Sequence, residues 1–387
     1  MEAARDFSFP PEVYTRDQEV FDTTGSLTQV IESVQACGLE DRFNADRTQV
    51  CIPSSYPQFE RLMEIATDGA PIELPEGFIP SGAPEAPRAI LQRMPKVMQT
   101  HAVKAWMKHR GVIIRWSTLP PEEQAKVHFS GCHWNMEFVK PLGRWLIDCS
   151  NRLGGFNLNT PGTKAASIER FGKVQDDTIV DIFTAWYEYS ERTGIAVSEC
   201  FIWKADIEGA FPQFRWQPEA AKLMGMMIDD DLLYLHTPGN FGHTSSPGIW
   251  CVISNALLFM CLVVVTILGV LKKYVDDYNG FASKEHATRD EAVFHQSARA
   301  FLGQTAINES KTVHPTQHTD VLGWDTDLPA ELCSPNTKGC NKLLEVFFCF
   351  DILAAQSYNL SEVLARVAER YPTGLVGMKA LLPHSIT

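Results

Sequence analysis

The chain has 387 residues, 45% of them hydrophobic and 21% charged, enough for a sizeable core and two or three subdomains. A net charge of −13 argues against a protein that coats nucleic acid indiscriminately. The charge is uneven: residues 91–175 hold 13 Lys and Arg against 5 Asp and Glu, a local +8 that leaves −21 on the remainder.

Ten cysteines without a C-x-x-C pair, several in apolar runs, fit reduced thiols in an intracellular compartment, cytoplasm or nucleus. His128, Cys132 and His133 cluster locally but lack a second ligand pair at zinc spacing. The N-terminus lacks the apolar core of a signal peptide.

Residues 1–90 read as a poorly patterned, Pro-rich extension, interrupted by Pro10-Pro11, Pro53, Pro57 and the run from Pro71 to Pro87, with one helix over Thr28 to Ala36. Arg88 to Lys108 has helical spacing, and Val112 to Trp116 reads as a strand. Leu119-Pro120-Pro121-Glu122-Glu123 looks like a helix start. Phe138 to Asp148 reads as two strands around a Pro141-Leu142-Gly143 turn, a basic hairpin carrying Lys140 and Arg144. Asp177 to Ser190 is an amphipathic helix with Ile179, Phe183, Trp186 and Tyr187 expected on its core face.

Phe201 to Ile207 follows as a strand that ends in Asp206, then a turn rich in aromatics, Gly209 to Phe214. Leu232 to Leu235 is a strand, and Ser245-Ser246-Pro247 opens a helix. Ile249 to Leu271 is 23 residues without a charge, long enough to span a bilayer. Ser254 and Asn255 interrupt it and no second span accompanies it, so a buried core helix followed by a strand is the preferred reading, with no membrane partner. Tyr274-Val275-Asp276-Asp277 puts two acids at the tip of a tight hairpin. Lys284 to Gly303 is helical in spacing, Val321 to Asp325 is a strand or hairpin, and Leu343 to Arg370 is mainly helical. Strand, helix, hairpin, helix, strand is the order of an α+β layer with helices packed on one antiparallel sheet.

Asp276 and Asp277 gain meaning beside Asp206, 70 residues earlier. Adjacent carboxylates raise each other's pKa unless a cation relieves them. In an antiparallel sheet the loop and helix between these segments can bring their strands side by side, and the acids could then bridge two divalent ions. The basic stretch before them suits a chain that holds a phosphate backbone with one part and metal ions with another.

Over roughly residues 135–330 the chain resembles the reverse transcriptase domain of retroelements. Tyr274-Val275-Asp276-Asp277 is similar to that family's Tyr-x-Asp-Asp box, and Asp206 to Phe211 to its Asp motif with an aromatic five residues on. Phe241-Gly242 with Ser246-Pro247 resembles its Phe-Gly…Ser/Ala-Pro motif, which leans toward gypsy-type or DIRS-type retrotransposons. Lys140 to Arg144 resembles the fingers hairpin, Asn308 to Thr312 the Lys motif, and Leu322-Gly323-Trp324 the segment that grips the primer.

The resemblance implies a right-hand polymerase. It would have an N-terminal extension over 1–90, a fingers-like basic region over 91–205, a palm over 206–335 and the helical start of a thumb or connection over 336–387. It implies an RNA-directed DNA polymerase that uses dNTPs, an RNA or DNA template with primer, and two Mg2+ or Mn2+ ions. Asp206, Asp276 and Asp277 would be catalytic metal ligands and Lys311 an acid for the leaving pyrophosphate. Lys140, Arg144, Phe211, Phe241 and Gly242 would bind the nucleotide, and Leu322, Gly323 and Trp324 the primer. Phe211 would stand under the sugar and exclude a 2′-hydroxyl, which argues against an RNA-dependent RNA polymerase.

Ser150, Leu153 and Asn240 stand where the family has Arg, Asn and Pro. No segment resembles an RNase H, integrase or protease, and 64 residues follow Leu322-Gly323. The expectation is therefore a piece of a retroelement polyprotein, either an active polymerase or a decayed copy that only binds nucleic acid or protein.

Overall fold

In this computed structural model the described residues are 11–38, 42–82, 95–129, 131–135, 144–148 and 157–336. They form a mixed helix-and-sheet fold in which every named strand pairing is antiparallel. Two compact bodies interleave along the chain, one drawn from residues 1–174, 209–257 and 298–306, the other from 175–208, 258–297 and 307–387.

The N-terminal stretch is more ordered than its prolines suggest. It forms helices α1 (Arg16–Thr24), α2 (Leu27–Ala36), α3 (Ala45–Cys51) and α4 (Phe59–Asp68). Pro53 and Pro57 lie between α3 and α4, where they punctuate helices and break none. Ser26 and Asn44 cap α2 and α3 by accepting from the backbone N–H groups of Gln29 and Arg47. Leu27, Val30, Ile31 and Val34 recur at helical spacing and are all buried.

Next come α5 (Pro95–Met107), β1 (Gly111–Arg115), β2 (Gly131–Asn135) and β3 (Arg144–Asp148). A single helical turn, Pro121–Gln124, stands between β1 and β2. Buried Asp17 accepts from the Trp106 indole at 2.9 Å and the Ile113 N–H at 2.8 Å, so one carboxylate ties α1, α5 and β1 together. β2 and β3 pair from Gly131↔Asp148 to Asn135↔Arg144. The expected basic hairpin therefore has its strands at 131–135 and 144–148, and Lys140 and its turn lie outside the described residues.

The chain continues through α6 (Pro161–Phe171), α7 (Ile179–Thr193), β4 (Cys200–Asp206), β5 (Gly225–Asp229), β6 (Leu232–His236) and α8 (Ser246–Phe259). In the first body the sheet order is β1-β6-β5, with Val112, Ile113, Ile114, Leu233 and Leu235 in its core. Almost every residue of α8 from Ser246 to Leu257 is buried, which explains an apolar sequence with no polar stripe. With the π-helical turn Met260–Val264 it makes one helix long and apolar enough to cross a membrane, and 61% of it is buried.

The second body is built on β7 (Val270–Tyr274), β8 (Asp277–Ser283), α9 (Lys284–Leu302) up to Ser297, β9 (Val313–Thr316), β10 (His318–Val321), β11 (Trp324–Asp327) and β12 (Leu332–Pro335), together with α7 and β4. Its main sheet has the order β7-β8-β4-β9. Side chains alternate across a sheet, so Trp203 and Tyr278 share one face while Ile202 and Phe281 share the other. Phe294 of α9 packs on Trp203 and Tyr278, with centroids 5.4 and 4.7 Å away. Trp186 of α7 stacks on Phe281 at 4.8 Å. Helices thus cover both faces of this sheet. On α7 the core face is Ile179, Ile182, Trp186 and Tyr189, whereas Tyr187, expected inside, is 61% exposed. The helix begins after Thr178, whose capping box with Asp181 sets its start.

Candidate active site

β4 and β8 run antiparallel in a register that sets Asp206 opposite Asp277. Tyr274 pairs with Asp277, leaving Val275 and Asp276 as a two-residue turn between β7 and β8. The strand end carrying Asp206 is held on both sides: Ile207 N donates to Asp276 O and Asn308 N donates to Asp206 O, each at 2.9 Å. The three acids read from the sequence therefore come together at one end of one sheet.

Asp206 is 4% exposed, and a carboxylate so buried needs a positive partner. Lys311, in the 3-10 turn Glu309–Lys311, provides it through Nζ at 2.5 Å from Asp206 Oδ1. Burial works against the charge on Lys311, but the hydrogen bond to Asp206 and the charges of Asp206, Asp276 and Asp277 raise its pKa on balance. Asp277 is pushed up to about 6, first by burial and then by Asp276 and Asp206, with Lys204 and Lys311 pulling the other way. The cluster carries more negative charge than its lysines neutralise.

This donor set, three carboxylates on rigid backbone, matches the oxygen chemistry of a hard dication. As the side chains stand, no group of three Asp, Glu, His or Cys among the described residues is arranged to hold a metal ion. Lys311 engages an oxygen that a cation would need.

The turn itself is strained. Val275 has φ +54, a left-handed conformation that costs a β-branched residue on the order of 1–3 kcal/mol. Its N–H donates to Asp176 Oδ1 at 3.1 Å. Asp176 and its neighbour Asp177 also bind the flanking lysines: Lys273 Nζ lies 2.9 Å from Asp176, and Lys272 Nζ lies 3.1 Å from Asp177. Sequence reading missed both acids, which lie almost a hundred positions before their partners. The one local signal was their place just ahead of the α7 capping box.

Phe211, Phe241 and Gly242 belong to the first body. Phe211 is buried in the 3-10 turn Phe211–Gln213 and meets Phe241 edge-on at 4.7 Å. Gly242 has φ +106, which a side chain would oppose. Asn159, also unpredicted, grips this loop by donating to Gly242 O at 2.6 Å and accepting from Thr244 N at 2.9 Å. Asn240, at the family's Pro position, accepts from the buried Trp216 indole at 2.9 Å. Leu322 and Gly323, at φ +47 and +88, form the two-residue turn joining β10 to β11, with Val321 opposite Trp324. Positive φ at both positions is the pattern of a type I′ hairpin turn. Arg144 opens β3 opposite Asn135.

No protein-family model and no curated protein matches the chain. Among solved structures, a foamy viral protease-reverse transcriptase in complex with dsDNA aligns with TM-score 0.47 and 13% identity, covering 84% of this chain and 65% of that one. The foamy viral protease-reverse transcriptase with an RNA/DNA hybrid aligns at 0.44 and 12%, covering 78% and 37%. An apo telomerase from Candida Tropicalis, truncated from its C-terminal domain, aligns at 0.32 and 13%, covering 45% and 43%. The chain thus spans 37% to 65% of the length of these structures.

Proposed function

We propose that this chain is a nucleotidyltransferase of the reverse-transcriptase kind, which extends a primer with dNTPs along an RNA or DNA template. The observation that carries this reading is the pairing of Asp206 with Asp277 across β4 and β8, with Asp276 in the adjoining turn and Lys311 on Asp206. Asp206, Asp276 and Asp277 are the residues that would hold two Mg2+ or Mn2+ ions, which supply Lewis-acid activation of the primer 3′-oxygen and neutralise the leaving pyrophosphate. Lys311, kept protonated by the same carboxylates, carries a proton at Nζ for the leaving group. By the same resemblance Phe211 would exclude a 2′-hydroxyl and Gly242 would admit a base pair close to the backbone. Lys140 and Arg144 would likewise take the triphosphate through charge-assisted hydrogen bonds, and Leu322, Gly323 and Trp324 would seat the primer. The chain would act intracellularly, as one segment of a retrotransposon polyprotein.

Purified protein with Mg2+ or Mn2+ is expected to incorporate labelled dNTP on a primed RNA or DNA template. Asp206→Asn or Asp276→Asn should cut incorporation by on the order of 100-fold or more while the fold is retained. Incorporation indifferent to both substitutions would remove these carboxylates from the chemistry. Ser150, Leu153 and Asn240 favour a second reading, a decayed copy that binds nucleic acid or a protein partner without catalysis. Template binding with no incorporation under either metal selects it.

A further inference from the structure

The Val275–Asp276 turn is held from outside its own hairpin. Val275 N–H takes no part in the β7–β8 ladder, and such a group needs an acceptor wherever water is kept away. Asp176 Oδ1 is that acceptor, and the same oxygen receives the Lys273 ammonium, whose side chain is 2% exposed. Lys273 Nζ also donates to Gln175 O at 3.1 Å. One residue on, Asp177 N donates to Lys273 O and Asp177 Oδ2 accepts from Lys273 N, both at 2.9 Å. Residues 175–177 therefore lie against the Lys273 end of β7, an edge strand of the sheet, and occupy the outward backbone groups of Lys273.

Asp177 alone would occupy those backbone groups of Lys273. Asp176 does something further: its single oxygen joins a buried ammonium to the N–H of the residue just before Asp276. Paired burial of this kind is weak evidence for stability, and its best-attested use is to fix one arrangement among several. We infer that Asp176 is a positioning residue for nucleotidyl transfer, which locks the Val275–Asp276 turn so that Asp276 is presented beside Asp206 and Asp277. The inference rests on the reading of those carboxylates as the reactive cluster. Asp176 acts through the turn and needs no contact with substrate.

The test compares the wild-type chain with Asp176→Ala and with the double variant Asp176→Ala/Lys273→Met, which removes the acceptor of the Val275 N–H and leaves no buried ammonium unpaired. Three quantities are read: Mn2+ affinity by isothermal titration, kcat and KM for dNTP on a primed template, and Tm. Both variants should bind Mn2+ about 10- to 100-fold more weakly and lose kcat by a similar factor, as when the outer partners of metal ligands are removed. KM for dNTP should be unchanged, and the double variant should keep the wild-type Tm. Wild-type Mn2+ affinity and kcat in the double variant would overturn the assignment, because a merely structural brace moves only Tm. If the wild type binds Mn2+ but incorporates nothing, the polymerase reading fails and the Mn2+ comparison alone decides the role of Asp176. If the wild type binds no Mn2+, the inference falls together with the carboxylate cluster it serves.

Discussion

Asp277 shows how one carboxyl reports on the whole cluster. Burial and the neighbouring Asp276 and Asp206 lift it from the ordinary 3.8 to about 6. The folded chain thus holds this proton more tightly than the unfolded chain. Its contribution to stability is complete below about pH 4 and is lost as pH rises through about 6. In metal-free buffer, Asp277→Asn should therefore gain stability relative to wild type as pH goes from about 4 to about 7, read as the difference in Tm between the two proteins. A difference constant across that range would mean that Asp277 ionises as it would in water. Asp206, by contrast, has an opposing charge in direct contact. Lys311 neutralises it directly, whereas Asp277 has only the more diffuse fields of Lys204 and Lys311.

At the scale of elements, the sheet of the second body tolerates its acids because the strands beneath them are packed without slack. Gly280 on β8 lies opposite Trp203 on β4, and a Cβ there would sit 1.9 Å from the indole Cε2. Trp203 is fully buried and already meets Phe294. Gly280→Ala should therefore cost about 1–3 kcal/mol or more, measured by denaturant unfolding, and lower incorporation by shifting β8 against β4. A Tm equal to wild type would show that Trp203 can swing aside. No sequence rule marks Gly280, since the atom it makes room for lies 77 positions earlier. The Tyr274 to Asp277 turn was legible because its whole signal is contiguous: strand-forming residues flank two acids. Its partnership with Asp206 was legible from the long helix and the strand read just ahead of the turn, although β5 and β6 also intervene. The brace at Asp176 was not, because Asp-Asp ahead of a capping box has the same composition whether or not it touches a strand 97 residues on. Helix α2 was legible as Thr28 to Ala36, but α1, α3 and α4 were missed for a simpler reason. Their prolines were weighed as breakers, when Pro53 and Pro57 fall in the gap between two helices. Tyr187 was misplaced because the face was read through Ile179, Phe183, Trp186 and Tyr187, whereas the buried stripe runs through Ile179, Ile182, Trp186 and Tyr189, one helical step round.

For the whole molecule the governing fact is a net charge of −13 beside a local excess of basic residues over 91–175. Phosphate contacts release counterions, so affinity for duplex nucleic acid falls with salt at a slope set by the number of contacts. A strongly acidic chain that binds a template should make few such contacts, and these should sit on the basic segment. Lys164 is a candidate that can be tested singly. It is an exposed residue on the first turn of α6, lining an open cleft with Asn159, Thr160, Gly242 and Thr244. Pro161 brings no N–H and the Thr163 N–H is taken by the Thr160 cap, so it is the ammonium, together with the helix dipole, that favours an anion at this end. Lys164→Gln should weaken binding of a primed duplex at low salt for every sequence alike. It should also reduce the slope of log K against log salt by about 0.9, the value of one phosphate contact on duplex DNA. Equal slopes for the two proteins, measured by fluorescence anisotropy across a salt series, would place the template elsewhere on the basic segment. A loss of affinity confined to some sequences would point to base contact rather than charge.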